Sequence, residues 1–371
     1  MSRPRLLSLF LALSFALAFL ATLGVGSSGA ELPNEPSDRC CMGMDYVPAG
    51  FVGAEKSAVL YGGEYQDAPL DGTFVLSLVS MVWSHPTTIG SPGLLRSARM
   101  VYDEALNKVV LYGGTNMSGE NPLPLAGTWE FDGPALTWTR KDNLPPPVPP
   151  GLSSQGMAYD PIRQWVIMFG GNIGSGDYDQ TWAYNGTRWI HLDLLFPTTC
   201  GSSVHPTARS SPSMAWDGQK IVLFGGDDAA PGHLGDTWYL APNAQGNLCW
   251  SEASPGTVPA PRSLHRMAYN PVTDDIMMFG GGISGPTPTN ETWFFGRQIP
   301  GGWAMCGTIP GRPCGGLPPA RNGVGLAFGD NGGRTVMFGG GAGDQVNYFR
   351  DTWTWDTSNG WVCRLVCPIS P

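Results

Sequence analysis

Short apolar runs alternate along the chain with stretches rich in Gly, Pro, Ser, Thr and Asn. Six of these runs end in two glycines: VLYGG at Gly63, VLYGG at Gly114, IMFGG at Gly171, VLFGG at Gly226, MMFGG at Gly281 and VMFGG at Gly340. Successive copies are 51 to 59 residues apart. Each pair is followed by Thr and an aromatic: Thr73-Phe74, Thr128-Trp129, Thr181-Trp182, Thr237-Trp238, Thr292-Trp293 and Thr352-Trp353. A further Trp comes next: Trp83, Trp138, Trp189, Trp250, Trp303 and Trp361. Five copies open on an apolar-aromatic segment that starts at Met100, Met157, Met214, Met267 or Leu326. Met44-Asp45-Tyr46 stands there in the first copy.

Runs this short, rich in β-branched and aromatic residues, predict strands. The Asp160-Pro161 and Asn270-Pro271 steps predict tight turns. Each repeat therefore reads as four antiparallel strands: A (the opening segment), B (the run into the glycines), C (Thr-aromatic) and D (the last Trp). The units fall over 42–88, 96–141, 153–193, 209–253, 262–307 and 321–367. Six four-stranded units predict an all-β fold, a six-bladed β-propeller with short, protected edges.

The glycine pair with its downstream Trp resembles the kelch-repeat family, over about residues 44 to 363. The resemblance implies a kelch-type propeller in which the glycines serve backbone geometry and the Trp side chains fill the space between blades. It implies little about function, because one fold hosts many activities.

One pattern recurs within the chain itself. Seven residues before the strand-A aromatic, repeats four, five and six carry Arg209, Arg262 and Arg321. Just before the Thr-Trp pair they carry Asp236, Glu291 and Asp351. Repeats two and three have Leu95 and Leu152, with Gly127 and Gln180. Arginine and acid occur together or not at all. This predicts ion pairs Arg209–Asp236, Arg262–Glu291 and Arg321–Asp351; an arginine ring for an anionic ligand is the competing reading.

The A-to-B and C-to-D turns read as short. The B-to-C and D-to-A connections read as long and share one face, where binding residues concentrate. Candidates there are Tyr65, Asp67, Asn116, Glu120, Asp177, Tyr178, Asp179, Asp227, Asp228, His233, Asp344 and Tyr348.

Composition bears on surroundings. Arg3 and Arg5, an apolar stretch from Leu6 to Val25 and small residues at Ser28-Gly29-Ala30 read over 1–30 as an export signal, or as an uncleaved anchor. Eight cysteines then suggest disulfides. Cys306 with Cys314 would close one loop, and Cys200 with Cys249 would link neighbouring repeats. Cys40 or Cys41 with Cys363 or Cys367 would join the ends of the ring. Asn116, Asn185 and Asn290 are sequons for an exported chain. A formal charge of −9 predicts no nucleic-acid partner and no membrane partner beyond the anchor. No catalytic motif and no regular metal-ligand spacing occur, so no cofactor is expected. The sequence reads as a monomeric, secreted or cell-surface binding module for a protein or glycan. The alternative is a sugar-acting propeller enzyme, mutarotase-like or copper-oxidase-like.

Overall fold

The computed structural model describes residues 34–371, except 118–122, 197–199, 201–204, 230–231, 285–286, 330–331 and 368–371. Residues 1–30, read above as an export signal or anchor, and Glu120 lie outside the described residues.

The described chain forms six four-stranded antiparallel sheets, each in the order A-B-C-D. The A strands are Gly43–Val47, Arg99–Asp103, Gly156–Asp160, Ser213–Trp216, Arg266–Asn270 and Gly325–Gly329. Each A strand packs against the A strands of both neighbouring blades, including the first against the sixth, so the ring closes around a central channel. Two small hairpins, Glu64–Pro69 and Gly282–Pro288, lie between strands B and C of blades 1 and 5.

Local chemistry explains the turns after strand A. Asp160 Oδ1 accepts from the N–H groups of Ile162 and Arg163. Asp217 Oδ1 accepts from Gln219 and Lys220, and Asn270 Oδ1 from Val272 and Thr273. These side chains close the turn by satisfying its backbone donors.

The core is not central. It is six separate clusters, each shared by two adjacent blades. Three contacts repeat at all six joints. First, the strand-D indole N–H donates to the strand-C Thr Oγ1 of the preceding blade. The pairs are Trp138–Thr73 at 2.9 Å, Trp189–Thr128 at 2.9 Å, Trp250–Thr181 at 2.9 Å, Trp303–Thr237 at 3.1 Å, Trp361–Thr292 at 2.8 Å and Trp83–Thr352 at 3.1 Å. Second, the strand-B aromatic before the glycines packs at an angle on that same Trp, as Tyr61 does on Trp138 with centroids 5.1 Å apart. Third, the second glycine N–H donates to a carbonyl of the next blade, as Gly226 does to Arg262 at 3.0 Å. Gly226 sits at φ 109°, and a Cβ there would lie 2.8 Å from Ser210 O, so only glycine fits without strain.

A fourth feature encircles the channel. Cys41 N–H donates to Gly323 O, Gly323 to Leu264, Leu264 to Ser211, Ser211 to Ser154, Ser154 to Ser97, and Ser97 back to Cys41. All six residues have left-handed φ between 54° and 61°. One residue per blade thus forms a closed ring of backbone hydrogen bonds.

That ring, and not a disulfide, joins the ends. Cys363 pairs with Cys367, while Cys40 and Cys41 are free and buried. Residues 40 and 41 sit at the inner end of blade 1, whereas Cys363 lies on the outermost strand of blade 6. Strands about 4.8 Å apart put a blade's width between them, beyond the Cα separation of roughly 7 Å that a disulfide tolerates. Cys200–Cys249 bridges the segment after blade 3 to strand D of blade 4, and Cys306–Cys314 closes a loop after blade 5.

Candidate functional site

The residue after each glycine pair turns toward the axis, beside the residue just before the backbone ring: Glu64 pairs with Cys40, Asp227 with Ser210, Gly282 with Ser263 and Gly341 with Asn322. These positions open into a cavity of about 760 Å³ at one mouth of the channel. Asp227, Asp228, His233, Gln345 and Tyr348 complete its polar wall.

The mouth is held by its own contacts. His233 Nδ1 meets an Asp227 carboxylate oxygen. Gly232 N–H donates to Asp228 Oδ1 at 3.2 Å. Arg96 reaches Glu64 Oε2 at 2.8 Å and also pairs with Asp67. Tyr65, 38% exposed, stacks at a tilt on Tyr348 with centroids 5.4 Å apart. Burial, with Cys40 and Glu64 nearby, raises the Tyr348 phenol well above its ordinary value.

Cys40 Sγ lies 2.6 Å from Cys41 Sγ and 3.4 Å from Glu64 Oε1. Ligand atoms of these three residues lie within 4.8 Å of one another, close enough to hold a metal ion. Burial, then the neighbouring Cys41 and Glu64, push the Cys40 thiol well above its usual range, which makes it a poor nucleophile.

The other sequence candidates lie elsewhere. Asp177 accepts from Asn172 Nδ2 at 3.3 Å, Tyr178 OH meets Gln180, and Asp179 is half-buried beside them in blade 3; none of the three lines the cavity. Asp344 caps its own loop through the N–H groups of Val346 and Asn347. Asn116 is exposed; Asn185 and Asn290 are half-buried. The histidines do not gather: His85 stacks on Phe74 and His191 on Trp182, while His265 is buried against Phe224.

Each arginine of the recurring pattern reaches into its own blade. Arg209 contacts Asp236 at 2.6 and 2.8 Å, Arg262 contacts Glu291 at 2.5 Å, and Arg321 contacts Asp351 through two hydrogen bonds, one of 2.9 Å. Each Nη1 also donates to the carbonyl of its blade's first glycine. The strand-C indoles complete the groups: Trp238 to Asp236, Trp293 to Glu291 and Trp353 to Asp351, at 2.6 to 2.9 Å. All three arginines are fully buried. Burial raises Asp236, but its Arg209 hydrogen bond and charge outweigh it and hold the carboxyl below the usual range.

Sequence reasoning missed two things here. Arg39 takes the same place in blade 1, donating to Gly62 O at 3.0 Å and lying over the Phe74 ring. It stands seven residues before Tyr46, the spacing already found in the other blades. The arginines Arg99 and Arg266, inside the channel, left no repeat-wide signal at all.

The KLHDC2/KLHL20/DRC7 Kelch-repeats domain matches residues 49–281. Host cell factor 2 of Homo sapiens is 29% identical over 129 residues, 32% of this chain and 16% of that protein. Putative adagio-like protein 2 of Oryza sativa subsp. japonica is 25% identical over 290 residues, 70% of this chain and 42% of that protein. An F-box/kelch-repeat protein of Arabidopsis thaliana is 33% identical over 94 residues, 25% of this chain and 19% of that protein. The matched stretches thus span less than half the length of each relative.

Proposed function

The chain belongs to the kelch-repeat family, and from that premise we propose that it is a protein-interaction module that docks a partner at the mouth of its central channel. The observation that carries this is the 760 Å³ cavity, framed by a rigid backbone ring and walled by Glu64, Asp227, Asp228, His233 and Tyr348. A concave site with convergent polar groups on a stiff scaffold suits recognition. Its carboxylates, on a chain of net charge −9, favour a partner segment carrying Lys or Arg. The partner works outside the cytoplasm: the signal-like 1–30 segment and three disulfides support export.

The test compares partners captured by the immobilised chain with those captured by an Asp227→Lys/Asp228→Lys variant and an Ile162→Lys variant. Ile162 is 69% exposed in a turn after strand A, at the far end of its blade from the mouth. Partners lost only with the mouth variant support the reading. Loss with Ile162→Lys alone would overturn it.

A second reading takes exposed Tyr65 with half-buried Tyr348 as a platform for a sugar ring. Binding to a glycan array that disappears in Tyr65→Ala would favour it.

A further inference from the structure

Below the mouth, the six A strands line a cavity of about 500 Å³. Met44, Met100, Met157, Met214, Met267 and Leu326 repeat around it, one per blade. Polar groups interrupt this ring, two arginines among them. Arg99 opens strand A of blade 2 and Arg266 opens strand A of blade 5. Three blades apart in a ring of six, they stand on opposite sides.

Neither guanidinium is satisfied. Arg99 is only 8% exposed. Its Nε donates to Gln155 O at 3.0 Å, but Nη1 and Nη2 have no partner. Arg266 Nη1 donates to His265 O at 3.1 Å, and Nη2 has none. Arg209, Arg262 and Arg321, which are deeper still, each hold a carboxylate. Among the described residues, Arg99 and Arg266 hold no such group. Burial, followed by the charge of Arg266, pulls Arg99 well below the ordinary arginine range.

Two like charges buried without counter-ions are costly, and each such group calls for a reason. Neighbouring side chains do not supply the missing charge. Asp45 and Glu104 also line the cavity, but the two Asp45 oxygens are taken by the Tyr46 and Tyr102 N–H groups, and among the described residues no ion pair joins either carboxylate to Arg99 or Arg266.

We propose that the channel is an anion site in which Arg99 and Arg266 clamp one small oxyanion, a phosphate or a carboxylate. Guanidinium forks match such oxygens in pairs, and the methionines around them strengthen each contact. The site is separate from the mouth and does not depend on the docking proposed there.

The experiment is thermal unfolding and calorimetric titration of the purified full chain with inorganic phosphate and with succinate, and with chloride at matched ionic strength. The site predicts a higher Tm with phosphate or succinate and none with chloride. Whichever oxyanion acts identifies the ligand class. Arg99→Met and Arg266→Met each weaken binding roughly tenfold or more. Without oxyanion, Arg99→Met unfolds at a higher temperature than the wild type, because an unpaired buried charge has gone. That gain also shows that the variant folds. No shift with either oxyanion, or equal shifts in wild type and both variants, would overturn the proposal.

Discussion

The indole N–H of Trp138 donates to Thr73 Oγ1 of the preceding blade at 2.9 Å. The same two positions meet at every joint of the ring, which explains why Thr precedes the strand-C aromatic in every repeat. Thr73→Val keeps the shape but removes the acceptor, leaving a buried indole N–H without a partner. The expected loss is about 1–3 kcal/mol. Denaturant unfolding measures it, and Thr73→Ser, which keeps the oxygen, should lose less.

The glycine joint separates two costs. Gly226→Ala introduces a Cβ at φ 109° and 2.8 Å from Ser210 O. Gly246→Ala also needs positive φ, 84°, but meets nothing within 4 Å. The exposed turn should lose about 1 kcal/mol. The joint should lose clearly more, or fail to fold, because steric conflict adds to strain. Equal losses in the two melting curves would remove the joint's special role.

Arg321 and Asp351 are 0% and 3% exposed. Removing one partner strands the other as a buried charge, so Arg321→Met should destabilise by about 3–5 kcal/mol. Arg321→Met with Asp351→Asn should recover much of that loss. The paired occurrence of Arg and acid in blades 4, 5 and 6 has this asymmetry as its physical basis.

Asp45 bridges two blades: its carboxylate accepts from Tyr46 N–H at 2.8 Å and Tyr102 N–H at 2.7 Å. Burial nonetheless pushes its pKa up to about 6, with the charge of Glu104 adding a little. The folded pKa lies above the unfolded one, so the folded state binds more protons between about pH 4 and 6. Stability from this group falls as pH rises through that window. Asp45→Asn lacks the ionisation, so its stability relative to wild type should climb by up to about 3 kcal/mol across the same range. Tm measured against pH for both proteins checks the sign.

Strand order and the repeat were legible because each blade is local in sequence. Strand periodicity, turn residues and the glycine pair all act within one repeat. The Arg–acid groups were legible for the same reason, since Arg209 and Asp236 share a blade. What escaped depends on the closed ring. The meeting of the chain ends suggests a link from Cys40 or Cys41 to Cys363 or Cys367, but which side of a blade each end occupies is a property of the fold. Arg99 and Arg266 face each other only once six A strands surround a channel. The mouth residues Asp227, Asp228, His233 and Tyr348 were named as loop residues. Asp177, Tyr178 and Asp179 were named on equal grounds, yet they do not line the cavity.

The most direct test of the docking account is amide hydrogen exchange of the chain with and without a captured partner. The account predicts new protection at 64–67, 227–233, 282–284 and 341–348, the segments around the mouth. Protection confined to the turns after strand A, or to the outer D strands, would contradict it.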